Sequence, residues 1–145
     1  MRRLVPIDLG GSPSLCAVAP PRRAYPSPDT VRAMIDLYRE RYPDADLEVA
    51  FFHGGIPSTE LLSATGNLPV RLSCHPLDLD RKTAAKLAKL GCKTIELESM
   101  SLDPHVLRTC RREYTTTRVR NMTKRLRSDG FKVGLHLVPG LPGSD

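Results

Sequence analysis

Tryptophan is absent from this sequence, aromatic residues are few, and no long apolar run occurs. Aromatic side chains make up 5% of the 145 residues, so aliphatic side chains must form most of any core. No segment approaches the roughly 18 consecutive apolar residues of a membrane-spanning helix. The first residues, Met1, Arg2 and Arg3, are followed by Pro6 and Asp8 and not by the apolar run of a signal peptide. We therefore expect a cytoplasmic protein that does not enter a membrane.

Cysteine is sparse and widely spaced. Neighbouring cysteines lie 18 or more positions apart, at Cys16, Cys74, Cys92 and Cys110, so the sequence contains no CxxC pair. This spacing excludes a local zinc knuckle and the framework of a small disulfide-bonded scaffold. Buried, reduced thiols are the expectation.

The remaining composition is that of a globular domain, with 40% hydrophobic and 26% charged residues. A chain of this length can bury roughly two thirds of its unfolded surface in one core. We therefore expect a single domain over residues 1–145.

Short apolar runs alternate with amphipathic segments along the chain, an order typical of βα units around a parallel sheet. The runs predict five strands, at Leu4 to Asp8, Leu47 to Phe51, Val70 to Cys74, Thr94 to Leu97 and Phe131 to Val138. Helix N-caps are predicted at Ser27, Asp80 and the Thr115 to Thr117 cluster. The fold class is thus α/β, as an open barrel or a doubly wound sheet. Its fifth strand would have an exposed edge, which predicts either a protein partner there or a shortened chain.

Ligands of parallel α/β folds gather at the carboxyl ends of the strands. The residues at those ends form a polar rim: Cys16, His53, Gly54, Gly55, Cys74, His75, Glu96, Glu98, His136, Pro139 and Gly140. Adjacent glycines allow close backbone approach, and their amides can bind a carboxylate or a phosphate. Alternatively, the Gly-Gly pair forms a tight turn that binds no ligand. Cys16, His53, His75 and His136 would also suit zinc, although each His can equally be a polar residue at a strand end.

The order of EVAFFHGGIPS, RLSCHPLDLD, GCKTIELESMSLDPHVLRTCRREYTT and GFKVGLHLVPGLPGSD resembles the radical S-adenosylmethionine (SAM) superfamily. The resemblance is greatest to the branch of the Elongator catalytic subunit and covers roughly residues 45 to 145. It implies a partial parallel (βα) barrel of about five strands, with the final strand missing. It also implies that the double glycine lies by the amino group of SAM and that Gly134 to Gly143 seat the adenosine. The expected cofactor-binding residues are Gly54, Gly55, Glu96, His136, Pro139 and Gly140.

The family's CxxxCxxC loop, whose thiolates hold a [4Fe-4S] cluster, is not conserved in residues 1–27. When Cys16 is laid on the middle cysteine, Ser12 and Ala19 occupy the other two positions. One thiolate is not expected to hold the cluster, so Cys16 is interpreted as a remnant ligand. Reductive SAM cleavage is therefore expected to be absent.

A basic segment runs from Arg108 to Arg127 and contributes much of the net charge of +6. Glu113 is its only acid, so the segment could bind an RNA backbone, or it could be a solvated helix face. Three functions remain open: a radical SAM enzyme that completes its cluster with other ligands, a cluster-free module that binds SAM, a nucleotide, RNA or a complete relative, and a shortened derivative of a longer enzyme without activity.

Overall fold

The computed structural model describes residues 4–9, 25–52 and 55–144. These residues form five strands and five helices in the order β1, α1, β2, α2, β3, α3, β4, α4, α5, β5. The strands are β1 Leu4–Asp8, β2 Asp46–Phe51, β3 Val70–Cys74, β4 Cys92–Met100 and β5 Lys132–Leu137. The helices are α1 Pro28–Arg41, α2 Thr59–Ser63, α3 Arg81–Lys89, α4 Pro104–Thr109 and α5 Thr116–Ser128.

All the strand pairs of the sheet are parallel, and the strands lie side by side in chain order from β1 to β5. Each crossover connection therefore joins neighbouring strands, as in a (βα) barrel. The predicted α/β class and partial parallel barrel are confirmed.

The predicted helix N-caps are confirmed by hydrogen bonds. The Ser27 hydroxyl accepts from the backbone N–H of Thr30 at 3.2 Å, with Pro28 as the first helical residue. The Asp80 carboxylate accepts from Thr83 at 2.7 Å, and the Thr115 hydroxyl accepts from the residue three positions on at 3.2 Å. Each cap satisfies one backbone donor that the first helical turn leaves without a partner.

The hydrophobic core lies between one face of the sheet and the helices. Strand residues at alternate positions, such as Val49, Leu72 and Ile95, are fully buried there. The helices add matching apolar residues, including Val31 of α1 and Leu126 of α5. We call this the covered face. Because strand side chains alternate, the intervening residues occupy a second face of the same sheet.

β4 is longer than predicted, running from Cys92 to Met100 and not from Thr94 to Leu97. The extra residues Glu98 and Ser99 are polar, which hid them from an apolar pattern, yet both are fully buried. Hydrogen bonds of Glu98 to Ser73 and of Ser99 to the His136 carbonyl explain how this polar strand end is buried.

Among the described helices, none combines the length and the apolar character required to cross a lipid bilayer.

Candidate ligand-binding site

Four polar side chains from four adjacent strands form a continuous chain across the second face. Arg71 of β3 is its centre: its Nε donates to Glu48 Oε2 of β2 at 2.8 Å, and its Nη1 donates to Glu96 Oε1 of β4 at 2.5 Å. Glu96 Oε2 in turn contacts Nε2 of His136 on β5. The strand register explains this proximity, since Glu96 lies beside Gly134, two positions before His136. We call these four residues the polar chain.

The charges of the polar chain stabilise one another. Hydrogen bonding to Glu48 outweighs burial and raises the pKa of Arg71 above its ordinary value. Burial opposes ionisation of Glu96, but the hydrogen bonds from Arg71 and His136 prevail and lower its pKa below the ordinary value near 4.5. Both groups are therefore ionised at neutral pH. The side chains of Arg71 and His136 remain 31% and 27% exposed, so a ligand can reach the polar chain.

The end of β4 is fixed by a second set of hydrogen bonds. The Ser73 hydroxyl lies 3.0 Å from Glu98 Oε1, and the Tyr114 hydroxyl donates to the carbonyl of Ser99 at 2.9 Å. The Ser99 hydroxyl donates to the carbonyl of His136 at 3.2 Å. β4 and β5 are thereby tied together at the carboxyl end of the sheet, beside the polar chain.

The loop after β5 packs against α4. Gly143 has a φ of 84°, and a Cβ at this position would lie 3.0 Å from Cδ2 of His105. A larger residue would therefore push the loop away from the helix. Pro139 and Gly140 are exposed, and a Cβ on Gly140 would meet no atom within 4 Å.

Gly55, which follows β2, is held by an aromatic anchor. The Tyr25 hydroxyl donates to the Gly55 carbonyl at 2.9 Å, and its ring packs edge-on against Phe51 at 5.3 Å between centroids. The surroundings of Gly55 are open, since a Cβ there would meet no atom within 4 Å. The predicted residues Cys16, His53 and Gly54 lie outside the described residues.

The structure brings some of the predicted rim residues together and separates others. Glu96 and His136 are in direct contact. His75 has a different neighbour: its ring packs against Tyr114 at 5.1 Å between centroids, and burial lowers its pKa. The prediction of Cys74 as a rim residue was wrong, because its position in β3 directs the thiol into the core of the covered face.

Sequence reasoning missed Glu48, Arg71 and Tyr114. Glu48 stands between Leu47 and Val49, and Arg71 between two apolar residues of β3. A single charged residue between apolar neighbours in a strand indicates a side chain on the opposite face. That signal was available for both charged residues. The role of Tyr114 depends on a contact 15 residues away in sequence and left no local signal.

The described thiols do not fit a [4Fe-4S] cluster. Cys74 and Cys92 are 0% and 2% exposed, and burial raises the pKa of both, to about 12 for Cys92. Such thiols resist forming the thiolate that an iron ligand requires. Cys110 lies apart, at the C-cap of α4. Over residues 4–9, 25–52 and 55–144, no three His, Cys, Asp or Glu side chains are grouped so as to hold a metal ion.

The basic segment divides into separate surfaces. On α5, Arg118 and Arg125 border a groove towards the start of α3. Arg120 and Arg127 are exposed on a different stripe of the same helix, because they lie two positions along from the first pair.

Comparison with known proteins assigns this chain to a family. The sequence pattern of the Radical SAM superfamily matches residues 16–145. The chain is 36% identical to the tRNA uridine(34) acetyltransferase of Methanocaldococcus jannaschii over 64 residues, which are 44% of this chain and 12% of that protein. It is 35% identical to the enzyme of the same name from Methanocaldococcus infernus over 73 residues, 50% of this chain and 14% of that protein.

Solved structures have the same fold. An N-terminally truncated Elp3 of Methanocaldococcus infernus aligns with a TM-score of 0.66 and 19% identity, over 99% of this chain and 39% of that one. The cobalamin-dependent SAM radical enzyme OxsB, solved with aqua-cobalamin and SAM bound, aligns with a TM-score of 0.65 and 10% identity, over 92% and 23% of the two chains. The chain thus spans less than half of each relative. The predicted resemblance is confirmed: this chain belongs to the radical SAM superfamily, and its sequence and fold are similar to those of the Elongator-type tRNA uridine acetyltransferases.

Proposed function

We propose that this chain is a SAM-binding domain that does not assemble a [4Fe-4S] cluster from its own thiols. The polar chain carries the proposal, because it places an ionised carboxylate, a guanidinium and an imidazole beside the loop that follows β5. OxsB, which has the same fold, was solved with SAM bound. The polar chain carries groups able to hydrogen-bond a nucleoside.

Each part of the site has a separate binding task in this proposal. The Glu96 carboxylate accepts hydrogen bonds from ribose hydroxyls, and Arg71 and His136 hold it in place. The open backbone at Gly55 contacts the amino-acid end of SAM, with Tyr25 fixing its peptide. The exposed Pro139 and Gly140 cover the adenine. When bound in the family, the cluster supplies the electron that cleaves SAM.

The absence of a cluster is supported by the sequence and by the thiols. The sequence contains no CxxxCxxC motif, and Ser12 and Ala19 offer iron no soft anionic ligand. Cys74 and Cys92 are committed to the apolar core. A single remaining thiolate at Cys16 is too few for three iron ligands.

Calorimetric titration with SAM and iron counting test the two halves of the proposal separately. We expect saturable SAM binding by purified protein, weakened at least about tenfold by Glu96→Ala, since one charge-assisted hydrogen bond contributes about 1.5–3 kcal/mol. Glu40→Ala, at an exposed position of α1, is the matched control and should bind as the unmodified chain does. No heat of binding would contradict the SAM site.

Anaerobic reconstitution with iron and sulfide should leave the protein without a stoichiometric cluster. Four irons per chain and a brown absorption band, both lost in Cys16→Ser, would overturn the cluster-free half while leaving the SAM site intact.

We also propose that the β5 edge associates with a second copy of the chain. Within the described sheet β5 pairs only with β4, and Leu137 and Val138 at its end are 57% and 40% exposed. Unpaired strand edges are templates for further strands. Sedimentation should show concentration-dependent dimers that Leu137→Lys disrupts and the control Leu37→Lys, on α1, does not. A monomer at every concentration would contradict this association.

A further inference from the structure

A groove between α3 and α5 lies on the helix side of the domain, away from the polar chain. This open groove has a volume of about 760 Å³ and is bordered by three arginines, an asparagine and two threonines. Its arginines are Arg81 at the start of α3 and Arg118 and Arg125 on α5. Asp80 supplies the only carboxylate among the groove residues.

Asp80 does not neutralise these arginines through an ion pair. Its carboxylate accepts the N–H of Thr83 and caps α3, which lowers its pKa. Within the described part of the chain, Arg81, Arg118 and Arg125 form no ion pair with any carboxylate. The groove therefore has an excess of fixed positive charge, to which the N-terminal ends of α3 and α5 add partial charge.

Two of the guanidinium groups are held in place by backbone carbonyls. Arg118 Nε donates to the carbonyl of Pro76 at 3.4 Å, and Arg125 Nη2 donates to the carbonyl of Leu79 at 3.5 Å. Arg125 Nε is buried and has no hydrogen-bond partner among the described residues. Partial burial of a guanidinium without a counter-ion is unfavourable, and an anion in the groove would offset it.

We propose that this groove binds a phosphate group. Phosphate oxygens accept hydrogen bonds from the paired N–H groups of a guanidinium and from hydroxyl groups. The groove supplies both, the hydroxyls coming from Thr115 and Thr117. The phosphate belongs either to a small phosphorylated ligand or to the backbone of a polynucleotide, and the two sources share this chemistry.

The helix itself offers a matched pair of variants. Arg118→Gln combined with Arg125→Gln removes two charges from the groove. Arg120→Gln combined with Arg127→Gln removes two charges at the same seven-residue spacing from the exposed stripe of α5. Both double variants have the same net charge, so a general electrostatic effect would weaken binding equally in both.

Binding is measured by calorimetry with inorganic pyrophosphate and by fluorescence anisotropy with a single-stranded RNA oligonucleotide, at several salt concentrations. We expect the groove variant to weaken binding at least about tenfold, because each lost charged hydrogen bond contributes at least one factor of about ten. The exposed-stripe variant should change pyrophosphate binding by less than about twofold.

Arg81→Gln is a third variant. The native Arg81 side chain forms no hydrogen bond with the described residues, so this substitution should weaken binding without changing the thermal unfolding midpoint. Groove-dependent binding of pyrophosphate alone identifies a small ligand, and groove-dependent binding of RNA identifies a polynucleotide. Binding of neither probe, or equal losses in both double variants, would overturn the proposal.

Discussion

The two faces of the sheet are built from the same strands but by different interactions. The covered face packs aliphatic side chains such as Leu72 against the helices, where burial of apolar surface stabilises the fold without directional demands. The second face places Arg71 between Glu48 and Glu96, where each charge depends on a partner at a fixed distance. Arg71 and Leu72, which are adjacent in β3, thus lie on opposite faces and make different kinds of contact. The covered face supplies most of the apolar burial that stabilises the fold, and the second face carries the groups of the proposed SAM site.

The largest expected effect is on the covered face. Leu72→Ala removes a fully buried side chain and should lower the free energy of unfolding by about 2–5 kcal/mol, from lost transfer energy and the cavity left behind. Chemical denaturation monitored by circular dichroism measures it. Leu37→Ala, at a 58% exposed position, is the control and should change stability by less than about 0.5 kcal/mol. Similar losses at both positions would mean that the covered face is not the main source of stability.

The second largest effect is at the centre of the polar chain. Arg71→Met leaves the mostly buried Glu48 and Glu96 without their shared counter-ion. Because Arg71 is partly exposed, we expect a loss of about 1–3 kcal/mol, below that of a fully buried pair. Arg32→Met breaks the exposed pair with Asp29 and should cost no more than about 0.5 kcal/mol. Equal effects would show that burial adds nothing to the polar chain.

This contrast also explains which features could be predicted from the sequence. The strands and caps were predictable because they depend on local patterns, as at Ser27 and in the apolar residues of β3. Half of the polar chain was predictable, because Glu96 and His136 lie towards the carboxyl ends of the predicted fourth and fifth strands. For Arg71 and Glu48 the strand pattern indicates the face on which they lie, but not their contact with each other, because pairing across strands depends on register, which no single strand specifies. The buried end of β4 was missed because Tyr114 and Ser73, distant in sequence, satisfy its polar groups.

The pH dependence of stability separates the two faces further. Glu96 has a lowered pKa in the folded chain, so its ionised form contributes stability above its ordinary value near 4.5, and this contribution is lost as the pH falls through the folded-state pKa. Glu96→Gln should therefore cost about 1.5 kcal/mol at pH 7 and progressively less below about pH 4.5. Urea denaturation of both proteins from neutral to acidic pH measures the difference. For Leu72→Ala the loss should not converge in this way, and a pH-independent loss for Glu96→Gln would contradict the ionised pair.

The smallest expected effect is at Gly134, which lies beside Glu96 of the polar chain. A Cβ added at Gly134 would lie 3.1 Å from Cγ of Glu96, closer than ordinary contact, and Glu96 cannot yield freely because Arg71 and His136 hold its carboxylate. Gly134→Ala should therefore lower stability by about 1 kcal/mol, as overpacking does. In the Glu96→Ala background, the nearest atom of residue 96 would be its Cβ, at 3.8 Å from the added Cβ. Gly134→Ala should then be neutral or slightly stabilising, because alanine restricts the unfolded chain more than glycine does. Thermal unfolding of the four proteins gives the coupling between the two positions. A loss that persists without the Glu96 side chain would place the constraint in the backbone of β5, and the polar chain would then not be what requires glycine there.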